Sequence, residues 1–459
     1  MLATADPEEL AMTFTADPTE GQRVHALDRA HVFHSWSAQG ALNPMDIAAA
    51  EGCYVWDYDG NRYLDLSSQL VNVNIGHQHP KVVKAIQDQA ATLATIAPQH
   101  ANAARGEAAM RIAGLAPDGM NKVFFTNGGA DAIENAIRMA RLHTGKEKVL
   151  AFYRSYHGNT GTAIQATGDP RRWPNEYADH VVHFFGPYPY RSSFWSNSPE
   201  QETERALQHL EQVVAFEGPG TIAAILMESV VGTAGVLIPP PGYMEGVRAL
   251  CDKNGILFIA DEVMAGFGRT GKWFAFQHFN ITPDLITFAK GSNSGYVPVG
   301  GVIISDPIAA TFDERVFPGG LTYSGHPLAA ASIVASIDAM KEEGIVENAA
   351  HIGEDILGPG LRDLAERHPV IGEARGLGVF WALDLVSNRE TREPLAPYGG
   401  TSPAMAELGA EIKKRGALPF MNFNRLHVVP PCTITDAEAQ EGLAILDEAF
   451  AVIDKHYTG

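Results

Sequence analysis

Short apolar runs alternate with longer helical patterns through the middle of the chain. The runs are rich in β-branched and aromatic residues, which is typical of buried strands. They are Val123–Thr126, Val149–Tyr153, Val181–Phe185, Ile222–Met227, Ile256–Ala260, Leu285–Ala289 and Gly301–Ile304. Helical patterns lie between several of them, at Ala130–His143, Tyr243–Lys253 and Pro327–Lys341. This alternation predicts an α/β fold with a mostly parallel seven-stranded sheet that carries helices on both faces.

The two ends of the chain have a different pattern. Strand-like pieces occur early, at Cys53–Asp57 and Arg62–Leu66, and helices mix with strands such as Gly378–Leu385 and Leu426–Val429 near the other end. A chain of 459 residues is also too long for one small core. We therefore predict a large domain at residues 75–345 and a smaller α/β domain formed by residues 1–74 and 346–459.

The charge and composition of the chain disfavour some classes of binding partner. The formal net charge of -20 disfavours contact with nucleic acid and with anionic membranes, so we expect neither. The chain has no run of 18 apolar residues, and its first 20 residues lack the basic start and the apolar stretch of a secretory signal. Three distant cysteines without a CxxC pair are typical of a reduced protein, and we expect a cytoplasmic one.

Reactive residue types follow the predicted strands, at the edge where ligands bind in open parallel sheets. The segment Asn127–Asp131 follows the first strand and opens a helix, and Tyr156 comes after the second strand. Glu228 ends the fourth strand, Asp261 the fifth and Lys290 the sixth. One edge of the sheet should therefore gather a glycine turn at a helix N-terminus, an aromatic ring, carboxylates and a lysine.

Each of these residues also has a simpler interpretation. Lys290 could be a solvated lysine at a strand end, Asp261 a turn cap, and Asn127–Ala130 only a turn with an N-cap. Tyr156 could pack in the core, and His157 could be a structural histidine. Together, however, they suit pyridoxal phosphate, which needs an amine for an imine, a carboxylate near its ring nitrogen, backbone amides for its phosphate and a ring against its face.

Five motifs carry a resemblance to a known family. They are Asp261-Glu262-Val263-Met264-Ala265-Gly266-Phe267-Gly268-Arg269-Thr270-Gly271, Lys290 at 29 residues past Asp261, Thr322-Tyr323-Ser324-Gly325-His326-Pro327, Ser155-Tyr156-His157-Gly158 and Arg375-Gly376-Leu377-Gly378. In this order and spacing they resemble the class III, fold type I aminotransferases that depend on pyridoxal phosphate, among them the omega- and amine transaminases. The resemblance runs over nearly the whole chain.

The resemblance implies the roles of the cofactor contacts. Lys290 would be the Schiff-base lysine and the proton shuttle, and Asp261 would pair with the pyridinium nitrogen. Val263 would pack under the cofactor ring, with Tyr156 over it. The remaining contacts would be backbone amides of Gly129 and Ala130 at the phosphate, Glu228 near Asp261 and the cofactor oxygen, and Thr322 at the phosphate of a partner subunit. The contact of Thr322 implies a homodimer, or a higher multiple, with shared sites.

The chain departs from relatives at two places. Their phosphate loop usually reads Ser-Gly-Ser, whereas this chain has Gly128-Gly129-Ala130, which loses two hydroxyls. Many relatives read substrate carboxylates with a mobile arginine near the position of Phe420, and in this chain Arg425 follows Phe420 in sequence. We predict that Arg425 has that role, because it lies in a predicted turn that leaves its side chain room to move. The alternative is an ordinary surface arginine.

The implied activity is amino-group transfer from an amine or omega-amino acid to a keto acid such as pyruvate, with ping-pong kinetics. The expected substrate contacts are Trp36, Leu70 and Val71, although the last two could be core residues. A transaminase of the 4-aminobutyrate type that uses 2-oxoglutarate, or a mutase or decarboxylase on the same scaffold, is the alternative. A dinucleotide site at Gly266–Gly271 and a metal site at His77 and His79 fit poorly, because the first does not follow its strand directly and the second lacks a third ligand.

Overall fold

The computed structural model describes residues 15–175 and 180–459. Residues 1–14, which form most of the segment considered above for a secretory signal, lie outside the described residues. The strands are β1 Ile47–Glu51, β2 Tyr54–Asp57, β3 Arg62–Asp65, β4 Lys122–Thr126, β5 Lys148–Phe152, β6 Val181–Phe184, β7 Ile222–Glu228, β8 Leu257–Asp261, β9 Leu285–Phe288, β10 Gly300–Ile304, β11 Ile371–Leu377, β12 Phe380–Asn388, β13 Glu393–Pro394, β14 Ala417–Leu418, β15 Phe420–Asn422 and β16 Arg425–Val428.

The α-helices in the described residues are α1 Pro18–His31, α2 Ser68–Val71, α3 Pro80–Thr92, α4 Ala103–Ala113, α5 Gly129–Thr144, α6 Gly161–Ala166, α7 Pro199–Glu217, α8 Tyr243–Asn254, α9 Asp306–Ala310, α10 Pro327–Glu342, α11 Ile345–His351, α12 Gly358–Arg367, α13 Pro403–Lys414 and α14 Asp436–Ile453. The three helices predicted from the apolar pattern are α5, α8 and α10. Each extends one residue beyond the predicted range at one or both ends.

The central sheet has seven strands in the order β4-β10-β9-β8-β7-β5-β6. Only β10 runs antiparallel to its neighbours, and the other pairings within this sheet are parallel. These are the seven strands expected from the apolar runs, with ends shifted by about one residue. The prediction of a mostly parallel α/β sheet is therefore confirmed.

Strand β7 shows why the sheet is buried on both faces. All seven of its residues are buried, and alternate side chains belong to different core clusters. Ile225 and Met227 pack in the cluster that contains apolar residues of α8 and α10, whereas Leu226 packs in the cluster that contains those of α5. Because successive side chains of a strand point to opposite faces, the helices cover both faces of the sheet.

The two ends of the chain meet in a smaller sheet. Its strand order is β1-β2-β3-β14, so residues near position 417 pair with residues near position 64. A further sheet, formed by β11, β12, β15, β16 and β13, comes entirely from the C-terminal part. This pairing supports the expected small domain, and the division of the chain at residues 75 and 345 stays a prediction.

Two expectations from composition concern membranes and thiols. Within residues 15–175 and 180–459, no helix has the length and apolar character needed to cross a membrane. Cys53, Cys251 and Cys432 are all buried and free.

Candidate active site

The carboxyl ends of the central strands surround a cavity of about 290 Å³. Seven of the eight predicted cofactor contacts line it, namely Gly129, Ala130, Tyr156, Glu228, Asp261, Val263 and Lys290. Each of them follows or ends a strand of the sheet or begins the helix after it. Parallel strands bring their carboxyl ends to one edge, which explains why residues so distant in sequence converge here.

Lys290 lies two residues after the end of β9 and is partly buried. Its amine forms no hydrogen bond or ion pair with the residues that the structure describes. Burial lowers the pKa of Lys290 to about 8. A larger share of neutral amine at physiological pH makes this lysine a far better nucleophile and base than a solvated one.

Asp261 ends β8 and is held from three directions. One carboxylate oxygen, Oδ2, lies 2.6 Å from Nδ1 of His157. The other accepts from the backbone N–H of Val263 at 3.1 Å and from the hydroxyl of Thr287 at 3.2 Å. These contacts fix the carboxylate at the floor of the cavity, where it can face a cationic ring nitrogen.

Sequence reasoning missed the role of His157, which it treated as structural. The ring is buried, and its Nε2 has no hydrogen-bond partner in the structure. Its backbone N–H donates to Thr167 Oγ1 at 3.0 Å, which anchors the segment. The one available signal was its place beside Tyr156 in the motif Ser155–Gly158.

Glu228 ends β7 and accepts two backbone hydrogen bonds. Its Oε1 accepts from Tyr156 N–H at 3.0 Å and its Oε2 from Gly232 N–H at 2.8 Å. Burial raises the pKa of Glu228 to about 7, and the charge of nearby Asp261 acts in the same direction. Near neutral pH the carboxyl is therefore protonated in part, and it can donate a hydrogen bond into the cavity.

The start of helix α5 offers an anion site. No side chain caps this helix, whose N-cap is Gly128. A Cβ on Gly129 would lie 2.8 Å from Val263 Cγ1, so glycine is what allows Val263 to reach the cavity wall. Uncapped amides at a helix N-terminus bind phosphate, and the two hydroxyls missing from this loop leave that task to the backbone.

Tyr156 forms an aromatic wall of the cavity and has a cationic neighbour that was not predicted. The guanidinium of Arg171 lies 3.6 Å from the centre of the Tyr156 ring. Asp169 accepts a hydrogen bond from Arg171 Nε at 3.0 Å and so fixes that guanidinium. No motif pointed to Arg171, because its contact depends on how the segment after α6 folds back.

The residues around the cavity fit pyridoxal phosphate. They supply a lysine amine with a lowered pKa, a fixed carboxylate, an uncapped helix N-terminus and an aromatic wall. The uncapped amides and the unpartnered Nε2 of His157 are polar groups for which the described part of the chain provides no partner. Among the predicted cofactor contacts only Thr322 lies elsewhere, in an exposed position.

The predicted substrate contacts are spread over different environments. Trp36 lines the Lys290 cavity. Leu70 is exposed, and Val71 is fully buried in a core cluster with Phe380, so neither lines the cavity of this single chain. For Val71 the alternative of a core residue describes its position better.

Arg425 differs from both interpretations of the sequence. The expected turn exists at Phe423 and Asn424, but Arg425 itself begins β16 and is only 5% exposed. It is therefore not a surface residue. It lines a second cavity that shares no lining residue with the Lys290 cavity. Its role in reading a substrate carboxylate stays a prediction.

Comparison with known proteins agrees with this geometry. The family model described as aminotransferase class-III matches residues 36–450. The chain is 37% identical to putrescine–pyruvate aminotransferase of Pseudomonas aeruginosa over 390 residues, covering 82% of this chain and 85% of the relative. It is 32% identical to taurine–pyruvate aminotransferase of Bilophila wadsworthia over 456 residues, covering 94% and 98%.

Solved structures show the same similarity. The taurine:2-oxoglutarate aminotransferase of Bifidobacterium kashiwanohense, in complex with PLP and glutamate, has a TM-score of 0.93 at 44% identity over 95% of this chain and 99% of that one. An (S)-enantioselective omega-transaminase of Thermomicrobium roseum has a TM-score of 0.89 at 35% identity over 94% and 98%. The chain belongs to the class III aminotransferases, which are enzymes of fold type I that use pyridoxal phosphate.

Proposed function

We propose that this enzyme moves an amino group from an amine or omega-amino acid to a keto acid such as pyruvate. The observation that carries the proposal is the convergence of Lys290, Asp261 and the α5 N-terminus on one cavity. Relatives named for putrescine or taurine as donor and pyruvate as acceptor support the substrate class. A relative named for 5-aminovalerate and another for 4-aminobutyrate keep an omega-amino acid with 2-oxoglutarate as the second candidate.

Each of the residues around the cavity has its own role in the reaction. Bound pyridoxal phosphate supplies an electron sink for the carbon that loses a proton. Lys290 Nζ would hold the cofactor until the substrate amine takes its place, and the freed lysine amine would then carry the proton away from the substrate carbon. Asp261, fixed by His157, keeps a negative charge at the cavity floor, and Glu228 offers a hydrogen bond beside it. The second half of the reaction reverses these steps with a keto acid, which makes the kinetics ping-pong.

The walls of the cavity favour a donor with an apolar portion. Trp36, Tyr156 and Met264 contribute most of the large side chains, and Lys290 is the one Lys or Arg among the described residues that line it. An acid group on the substrate therefore has no arginine partner within this cavity. Arg425 lines a different cavity and does not line this one.

Steady-state assays with a panel of donors test the substrate proposal. We expect pyruvate to accept amino groups from putrescine, taurine or an aryl-alkyl amine with parallel lines in double-reciprocal plots. Activity confined to 4-aminobutyrate with 2-oxoglutarate would favour the second candidate. Release of carbon dioxide, or isomerisation without a keto acceptor, would contradict amino transfer.

We also propose that the enzyme is a homodimer, or a higher multiple, with shared active sites. Thr322 is exposed and lies outside the Lys290 cavity, which is consistent with a contact to the partner subunit's cofactor. Leu70 is likewise exposed. Sedimentation of the holoenzyme should give twice the chain mass of 49.4 kDa or a multiple of it. An active monomer would contradict the shared-site proposal.

A further inference from the structure

A second cavity of about 410 Å³ opens near the carboxyl ends of β5 and β6. Three arginines line it, Arg154, Arg191 and Arg425, together with the aromatic rings of Tyr153, Phe185 and Tyr398. None of the residues that line it lines the Lys290 cavity. The amino-transfer chemistry therefore leaves this cluster of cations unexplained.

The segment 232–235 contacts residues of both cavities. Thr233 lines the Lys290 cavity, whereas Gly235 packs against Arg425, which lines the second cavity, and against Arg375. A Cβ on Gly235 would lie 2.6 Å from Arg425 Cδ, and the carbonyl of Gly235 accepts from Arg375 Nε at 2.6 Å. Arg425 is thus packed closely against Gly235.

The carboxylates near the second cavity form their hydrogen bonds with arginines other than Arg154 and Arg425. Asp384 Oδ1 accepts from Arg191 NH2 at 2.7 Å, and Glu373 pairs with Arg375. Arg425 Nε lies 3.9 Å from Asp384 Oδ2, which is beyond hydrogen-bond distance. Four guanidiniums therefore share two carboxylates, and the pairing leaves Arg154 and Arg425 without a hydrogen-bonded acid.

Of these two arginines, Arg154 has the fewer polar partners. Its guanidinium forms no hydrogen bond or ion pair with the residues described, and its nearest notable contact is the Tyr188 ring, 5.2 Å from its Cζ. Its backbone has a φ of 73°, which residues other than glycine seldom adopt, and its N–H donates to Gly168 O at 2.8 Å. Burial lowers the pKa of Arg154, and the charge of Arg425 acts in the same direction.

Arg425 has a single distant ion pair, with Asp384 at 3.9 Å. Its side chain is 6% exposed, and its Nε has no hydrogen-bond partner. Burying a charge without a partner costs several kcal/mol, so native structures pair such charges or bind a counter-ion. Arg154 and Arg425 line the same cavity, so an anion bound there could pair with both guanidiniums.

The aromatic walls indicate what else the ligand carries. The rings of Tyr153 and Phe185 lie 5.0 Å apart, and Tyr398 stands at the same cavity. Planar guanidiniums bind carboxylate oxygens with paired hydrogen bonds, while aromatic walls favour an apolar body. We propose that this cavity binds a small organic carboxylate with an apolar body, at a site separate from the Lys290 cavity.

Fluorine NMR of 4-fluorobenzoate provides the test. The holoenzyme is first reduced with borohydride, so that its cofactor stays attached to lysine and cannot react. We expect broadening of the fluorine signal on addition of this protein, and none with 4-fluorobenzyl alcohol, which has the same ring without the charge. Excess pyruvate should leave the broadening unchanged, because the two cavities are separate. The absence of broadening would overturn the proposal.

Variants locate the binding. Arg154→Gln and Arg425→Gln should each weaken 4-fluorobenzoate binding at least about tenfold, since each removes a charge-assisted hydrogen bond. Arg362→Gln is the matched control, because Arg362 is an exposed arginine that also contacts an aromatic ring, that of Trp381. Unfolding temperatures of all variants show whether each is folded. Equal affinity in the folded variants and the wild type, or displacement by pyruvate, would contradict a separate site.

Discussion

The two cavities of this enzyme satisfy their charges in opposite ways. Around Lys290 each carboxylate has its own partners, with Asp261 held by His157 and Glu228 by backbone amides. Around Arg154 and Arg425 the cations outnumber the acids, and two guanidiniums lack a hydrogen-bonded acid. The first arrangement fixes its carboxylates and leaves the α5 amides and His157 Nε2 open to a cofactor. The second leaves cations without hydrogen-bonded acids, so it has the character of an anion-binding site.

The largest expected effect comes from replacing Lys290, and this change distinguishes the functions of the two cavities most clearly. Lys290→Ala should abolish transamination and the visible absorbance of the bound cofactor, because no other described Lys or Arg lines this cavity. Lys253→Ala, at an exposed position near the end of α8, is the matched control and should keep both. Near-normal turnover of Lys290→Ala would remove the lysine from its role.

Replacing the carboxylate at the cavity floor should have the next largest effect. Asp261→Asn keeps the size of the side chain but loses the negative charge that holds a ring nitrogen protonated. We expect turnover to fall on the order of a thousandfold, about 4 kcal/mol, while the cofactor still binds. Single-turnover kinetics of both half-reactions provide the measurement. A loss of less than about tenfold would show that Asp261 is not the ring partner.

The lowered pKa of Lys290 predicts a pH dependence for loading the apoenzyme. Attachment of the cofactor needs the neutral amine, whose fraction rises with pH until the pH passes the pKa of about 8. The rate of attachment, followed by absorbance, should rise about 50-fold between pH 6 and pH 8 and then level off. A rate that keeps rising steeply to pH 10 would mean that burial does not lower this pKa.

The smallest kinetic effect is expected at Arg425. Because Arg425 packs on Gly235, close in sequence to Thr233 at the Lys290 cavity, Arg425→Ala should slow the amine and keto-acid half-reactions by the same factor, of a few-fold. Separate assays of the two half-reactions measure this. A selective rise of about 30-fold or more in the KM for pyruvate would instead support the carboxylate-reading role predicted from the sequence.

The Lys290 cavity was predictable because its residues stand at positions that the sheet dictates. Apolar runs locate the strands, parallel strands share one carboxyl edge, and Glu228, Asp261 and Lys290 follow from those two facts. The family resemblance then assigned their roles. The pattern could not show that His157 reaches Asp261, because a single histidine after a strand has many uses.

The second cavity could not be predicted, because no local pattern describes it. Arg154 follows β5, whereas Arg425 begins β16, and long side chains rather than backbone positions bring the two together. The same limitation explains Val71, whose apolar character fits a substrate pocket and a core cluster equally well. The burial of Val71 and the ion pairs of the arginines distinguish between these interpretations, and both depend on the complete tertiary structure.

Mapping the attached cofactor tests the central claim most directly. Borohydride reduction of the holoenzyme makes the bond between cofactor and lysine permanent, and mass spectrometry of the proteolysed protein then identifies the modified residue. We predict that the added mass of reduced pyridoxal phosphate appears on the peptide that contains Lys290 and on no other. Modification of a different lysine, or none at all in an active preparation, would contradict the assignment of this cavity as the active site.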